Sequence, residues 1–371
     1  MVPRLAPLAF EQKWAALPSI ARPRSLAPAI IARQLQDFLT SFSINELQPE
    51  DETLVEIITC GIALISFEVL RGSTSNWQPH LCAMASIAIT IHGQLQLLQS
   101  PGQVSPLLFE SKATTAMAFH IPVLLWMDLL ACVATQKQPK LPYDEWLGPN
   151  CTFQLAHIMG CRNSVMKAIG DLGVLSQWKK ESLTINNLDL EKFEKTRQQI
   201  EDELEDALDT TLMDSIEAPQ CPSGFLRNQE FDQMRAGRQP KEVHVTRIFA
   251  AAALAQLLVV SAKVSPNSPS TRTRRAVSRA ILEIKMVPQM VSPRQLSWPI
   301  CVVGCMADQD QRSFFEDLLN SVLSEGTRIF GNCGTVLDVL RACWGYKIER
   351  PDELWDCGRT MKEMGICALL I

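Results

Sequence analysis

The sequence predicts an all-α fold with many buried helices, on three observations. Apolar residues recur at helical spacing over long stretches, strand-type alternation is nearly missing, and two apolar segments have the length of core helices. Hydrophobic residues make up 47% of the 371-residue chain and charged residues 20%, so the chain is globular with a large core.

Residues 1–29 are rich in Pro and Arg (Pro3, Pro7, Pro18, Pro23, Pro28), which blocks a long helix and predicts a tail or linker. A mitochondrial presequence is the alternative, against which the prolines count. Helical patterns then dominate residues 30–371. Leu54, Val55, Ile57, Ile58, Ile62, Leu64, Ile65 and Phe67 mark a helix from Glu52 to Leu70, with Gly72 stopping it. Leu81–Leu98 is apolar nearly all round, and Ala113–Ala134 carries Pro122 as an expected kink. After the loop KQPKLPYDEWLGPN, one helix is expected from about Leu155 to Leu175, with Gly173 near its end. Ile200, Leu204, Leu208, Leu212 and Ile216 repeat every four residues beside the acidic run EDELED, predicting an amphipathic helix with a solvated acidic face. That helix and the Pro/Gly-bearing stretch after it place a mobile acidic and loop segment near residues 181–242. Further helices follow over Val243–Ala262, Thr273–Val287, Arg312–Ser324 and Thr335–Trp344.

A net charge of −5 argues against a chain that grips nucleic acid through its overall field. Twelve cysteines are scattered, none in a C-x-x-C pair, and most lie in apolar runs where a thiol behaves as a small hydrophobe. The first residues build no apolar signal region, so these thiols are expected to be reduced and intracellular, and the sequon at Asn150 has no bearing. No membrane span is expected: the run Ile248–Ala262 falls short of about 18–20 residues and carries Gln256.

Chemistry has few candidates. The IEDELED run invites comparison with helical isoprenoid enzymes, which hold magnesium between carboxylates one turn apart. The second metal motif such enzymes need is broken, because Arg328 stands where a ligand should follow Asn320 and Ser324. Cys151, His157 and Cys161 lie near one another without the paired spacing zinc uses. His80, His92, His120 and His244 are isolated and read as hydrogen-bonded core. The stretch TRTRRAVSRA, with Arg272, Arg274, Arg275 and Arg279, reads as an import or phosphate-contacting patch or, more simply, as an exposed helix face.

Five segments occur in a telling order. They are Phe67–Gly72 with Trp77 and His80 behind it; Leu125–Ala131, including Trp126 and Asp128; and Met159–Gly160–Cys161. Trp298–Pro299 with Val303–Gly304–Cys305 and Arg312 follows, then Gly331–Asn332 with Trp344. Together these resemble the fungal-specific transcription factor domain, the regulatory region of fungal zinc binuclear cluster transcription factors. Physically, Pro299 suits the first turn of a helix with Trp298 packed outside it, and Gly304 allows close helix approach. Glu68 and Asp128, in apolar helices, need partners such as Arg71, His80 or Arg312.

The resemblance implies a large helical regulatory domain over residues 30–371. It would act in the nucleus as a transcriptional regulator of a pathway or gene cluster, and not as an enzyme. The six-cysteine pattern that holds two zinc ions and reads DNA does not occur in this sequence. Zinc and DNA therefore enter only if a cysteine cluster lies upstream, and this chain has no cofactor of its own. Other transcriptional proteins are the expected partners, with no membrane, and a small-molecule effector is open. Leu204, Leu208 and Leu212 are the expected partner surface. A helical isoprenoid-type enzyme and a small-metabolite-binding module are the alternatives.

Overall fold

The computed structural model describes residues 52–72, 76–98, 112–148, 154–209, 229–262, 269–287, 291–324 and 331–371. Among the described residues there are thirteen α-helices, two short 3-10 helices and no strand. The first three helices are α1 (Glu52–Leu70), α2 (Trp77–Leu98) and α3 (Lys112–Thr135). In α1, Ile57, Ile58, Ile62, Ile65 and Val69 form the buried stripe. Its Gly61 lets α2 come close, since a Cβ there would strike the Met84 side chain. Thr59 Oγ1 and His120 Nε2, 2.9 Å apart, tie α1 to α3. Pro122 lies inside α3, whose residues from Ile121 to Cys132 are buried almost without break.

Two one-turn helices, α4 (Tyr143–Trp146) and α5 (Ala156–Met159), lead into α6 (Asn163–Thr184). The single helix expected over 155–175 is thus two. Gly160, at φ 83°, closes α5 in the left-handed region, and α6 starts afresh three residues later. Gly173 does not end α6. Like Gly170, it faces a neighbour: Cβ atoms at these positions would meet Cys132 and Tyr143, so both glycines admit α3 and α4 to the helix surface.

The next pair is α7 (Leu190–Asp209) and α8 (Gln229–Ser261). α8 is the central strut, packed on α6, α7, α9 (Pro269–Met286) and α10 (Ser297–Met306). Its Ala250–Ala253 run is fully buried, because four small side chains in a row let neighbouring helices pack on every side. Its segment Lys241–Ser261 is the one described helix long and apolar enough to cross a membrane, and 94% of its most apolar window is buried in the fold. Residues 229–242, expected to be loop, are instead helical at the start of α8. Residues 210–228, the expected end of the acidic helix and the first part of that loop, lie outside the described residues, as do residues 1–51.

All ten residues of α10 are buried. It packs on α8 and on α12 (Gly331–Glu349), which follows α11 (Arg312–Ser324) and runs five residues past Trp344. α13 (Cys357–Glu363) closes against α3 and α12, started by the Asp356 carboxylate, which accepts from the Arg359 N–H at 2.7 Å.

Candidate functional site

The residues singled out from sequence occupy helix contacts. Trp298 sits within the first turn of α10, not outside it, and stacks on Phe249 of α8 at 5.7 Å. Pro299 lies beside it in that turn, where its missing N–H costs nothing. At Gly304 a Cβ would come within 2.7 Å of Leu340, so α10 and α12 touch there backbone to side chain. The Gly304 carbonyl accepts from Trp344 Nε1 at 2.9 Å, and the Arg312 guanidinium stacks over the Trp344 ring at 5.4 Å. Trp77 donates from Nε1 to the Cys367 carbonyl at 2.7 Å. Gly72, at φ 76°, ends α1 as expected.

Asp128 is paired, but with backbone instead of an arginine. One carboxylate oxygen accepts from the N–H groups of Lys140 and Leu141 at 2.6 and 2.8 Å, fixing the loop after α3. Burial raises its pKa against the lowering effect of those two bonds. Glu68 is buried, and its Oε2 has no hydrogen-bond partner among the described residues. His80 is buried too, with its pKa lowered by desolvation and partly restored by the charge of Glu68. Trp126 is half-buried.

The expected partner surface is not one. Leu204 and Leu208 are fully buried with Phe193 and Ile200 on the inward stripe of α7, against α6 and α8; Leu212 lies outside the described residues. The four-residue stripe that suggested docking is the helix's own core face. Nor is the acidic face simply solvated. Glu201 is buried between Arg197 and Arg272, while Arg279 takes Glu205 at 3.3 Å and Asp209 at 2.9 Å. Arg274 reaches Asp308 and Asp310 at 2.7 and 2.6 Å. Three arginines of the basic stretch are therefore matched to acidic partners inside the chain. His244, read as core, lies 3.3 Å from buried Glu283, which also takes Arg247 at 2.9 Å.

Most of the described cysteines are buried as small hydrophobes, while Cys60 and Cys82 are exposed. Cys301, Cys305, Cys343 and Cys357 are buried, and all four thiol pKa values are raised. No group of three or more His, Cys, Asp or Glu among the described residues is placed to hold a metal ion. His157 is exposed, Cys161 is buried, and Cys151 lies outside the described residues.

One cavity, of about 350 Å³, lies where the C-terminal ends of α3 and α8 meet α6, the first turn of α10 and the start of α13. Leu172, Val259 and Val260 supply apolar wall, and Leu183 is half-exposed. Lys179, buried along its length, donates from Nζ to the Val260 carbonyl. Gln256 donates from Nε2 to Asp356 at 3.4 Å, which turns its Oε1 away from that carboxylate. That Oε1 and the Trp298 indole N–H, both on buried side chains, have no hydrogen-bond partner among the described residues. Gln256 showed in the sequence only as a polar break in an apolar run; Lys179 and Asp356 gave no signal, because helix order alone does not tell which ends converge.

Comparison with known proteins adds the last element. The sequence profile described as "Fungal specific transcription factor domain" matches residues 32–371. The chain is 26% identical over 338 residues to "Transcription factor dibT" of Pestalotiopsis microspora, covering 83% of this chain and 52% of that protein. Identity is 26% over 353 residues to "Trichothecene biosynthesis transcription regulator TRI10" of Trichoderma arundinaceum, covering 87% and 75%. For "ustiloxin B cluster transcription factor ustR" of Aspergillus flavus it is 23% over 304 residues, covering 78% and 50%. The chain thus spans about half the length of dibT and ustR. No solved structure matches it significantly.

Proposed function

The chain belongs to the fungal-specific transcription factor domain family, and from that we propose that it is the control domain of a regulator of a biosynthetic gene cluster. The carrying observation is that the family match runs through the whole described helical unit, with the motif residues Trp298, Gly304 and Trp344 committed to helix packing. Two relatives are named for the pathway or cluster they regulate, trichothecene biosynthesis and ustiloxin B. By this reading the chain works in the nucleus, with other transcriptional proteins as partners. It acts as a regulator: within the acidic run behind the isoprenoid-type alternative, Glu201 and Glu205 are engaged by Arg272 and Arg279. Zinc and base reading belong to a cysteine cluster, whether in the same polypeptide or in a partner.

The test is deletion of the gene in the fungus that carries it, followed by transcript profiling under producing conditions. Transcripts of one contiguous gene set should fall or rise together. An unchanged profile would overturn the proposal.

A further inference from the structure

We propose that Cys82 and Lys140 form a modification site, at which a peroxide joins the thiol and the amine in a reversible covalent cross-link. Cys60 and Cys82 are the two exposed cysteines among the described residues, and their neighbours differ in sign. At Cys60, partial burial and the Glu56 carboxylate push the thiol pKa up, away from the reactive form. At Cys82 the neighbour is a cation, because the Lys140 ammonium donates directly to Cys82 Sγ. Among the described residues Lys140 makes no ion pair, so its nitrogen is committed to the sulfur alone.

The contact is held from both sides. Cys82 lies in the second turn of α2, with Leu81 and Met84 beside it in the core. Lys140 lies 58 residues further on, in the loop between α3 and α4. The buried Asp128 carboxylate accepts from the N–H groups of Lys140 and Leu141, and the Gln138 N–H donates to Gln177 Oε1 at 2.6 Å. That loop therefore has a fixed backbone and presents its lysine to one sulfur. Two reacting groups kept in contact gain the large proximity advantage of an intramolecular step.

The oxidant is hydrogen peroxide. The Cys82 thiolate attacks one peroxide oxygen and the O–O bond breaks. The Lys140 ammonium gives its proton to the leaving hydroxide as water, which leaves a sulfenic acid beside a neutral amine. The amine then attacks the sulfenyl sulfur, the S–O bond breaks, and a second water leaves with an S–N bond formed. If a second peroxide instead removes one hydrogen from the sulfenic acid and one from the amine, two waters form and the oxygen stays as an S–O–N bridge. A dithiol supplies the electrons that restore thiol and amine in either case. The buried thiols of Cys301, Cys305, Cys343 and Cys357 offer no such access.

The test treats the full chain with hydrogen peroxide and maps its peptides by mass spectrometry, with thermal melts alongside. The Cys82 and Lys140 peptides should appear joined, two hydrogens lighter than their sum, with or without one added oxygen, and dithiothreitol should release them. Cys82→Ser and Lys140→Arg should each abolish the link, and Cys60→Ser should leave it intact. Because the link closes a long loop and restricts the unfolded chain, oxidised protein should melt several degrees higher than reduced protein. Neither Cys82→Ser nor Lys140→Arg should show that gain, and both should melt like the parent when reduced, since both positions are exposed. Cys82 oxidised to a sulfinic acid or a disulfide, with Lys140 unmodified, overturns the proposal. So does a Tm gain that survives in Lys140→Arg. The cross-link stands or falls independently of the regulatory reading.

Discussion

Adding one methyl group at Gly304 should destabilise the protein, although the usual expectation has the opposite sign. Inside a helix, Gly→Ala gains about 1 kcal/mol from backbone entropy and propensity. At Gly304 the new Cβ would lie 2.7 Å from Leu340 Cδ2 and 2.9 Å from Cδ1. Leu340 is 0% exposed and flanked by fully buried Val336 and Val339, so its methyls have nowhere to retreat. Overpacking of this kind costs about 1–3 kcal/mol, which outweighs the propensity gain and leaves a net loss of about 1 kcal/mol or more. Gly345 on α12 is the matched control, because a Cβ there meets nothing within 4 Å. Urea unfolding followed by circular dichroism should show Gly345→Ala stabilised and Gly304→Ala destabilised. Shortening the neighbour with Leu340→Val should cost less in the Gly304→Ala background than alone, the non-additivity of groups in contact. If both alanines stabilise alike, the close crossing of α10 on α12 is wrong.

Leu204→Ala and Leu208→Ala should each cost about 2–5 kcal/mol, as buried leucines do; a melting temperature unchanged by Leu204→Asp would restore the surface reading of α7. Arg197→Met should destabilise, by less than the roughly 3–5 kcal/mol of a fully orphaned buried charge because Arg272 still holds Glu201. Most of that loss should return in Arg197→Met/Glu201→Met, and a double variant as weak as the single would contradict a buried pair. His80 and His120 have pKa values lowered by burial from the ordinary 6.5, so the folded state binds protons more weakly than the unfolded one. Their contribution is complete above about pH 6.5 and is lost as pH falls through the lowered values, so Tm should drop on acidification to about pH 5. His80→Gln/His120→Gln should flatten that drop, and an unchanged slope would exclude these imidazoles as its source.

Much of the fold was legible because helical periodicity reports burial directly. The stripe Ile57–Ile58–Ile62–Ile65 on α1 and the apolar run ending α8 gave both elements and their inward faces. Gly304 and Pro299 were also readable, since each has one strong geometric use in an apolar helix. Failures arose where one pattern serves two purposes. A four-residue leucine repeat marks a core face as well as a docking face, and in α7 the core claimed Leu204 and Leu208. Glycine marks a stop or a close approach: Gly160 stops a helix at positive φ, whereas Gly173 admits Cys132. Arg272 and Arg279 looked like a free basic patch because their acidic partners lie about 70 residues earlier in the chain, beyond any local window. The cavity depends on which helix ends converge, and no single segment encodes that.

The most direct measurement joins the full chain to an unrelated DNA-binding domain and reads a reporter placed behind that domain's site in a fungal host. A control domain should move reporter output several-fold, up or down, from the level given by the DNA-binding domain alone, and Leu208→Asp should abolish the change by disrupting the core. Output equal to the DNA-binding domain alone, with the fusion folded and present in the nucleus, would contradict the assignment.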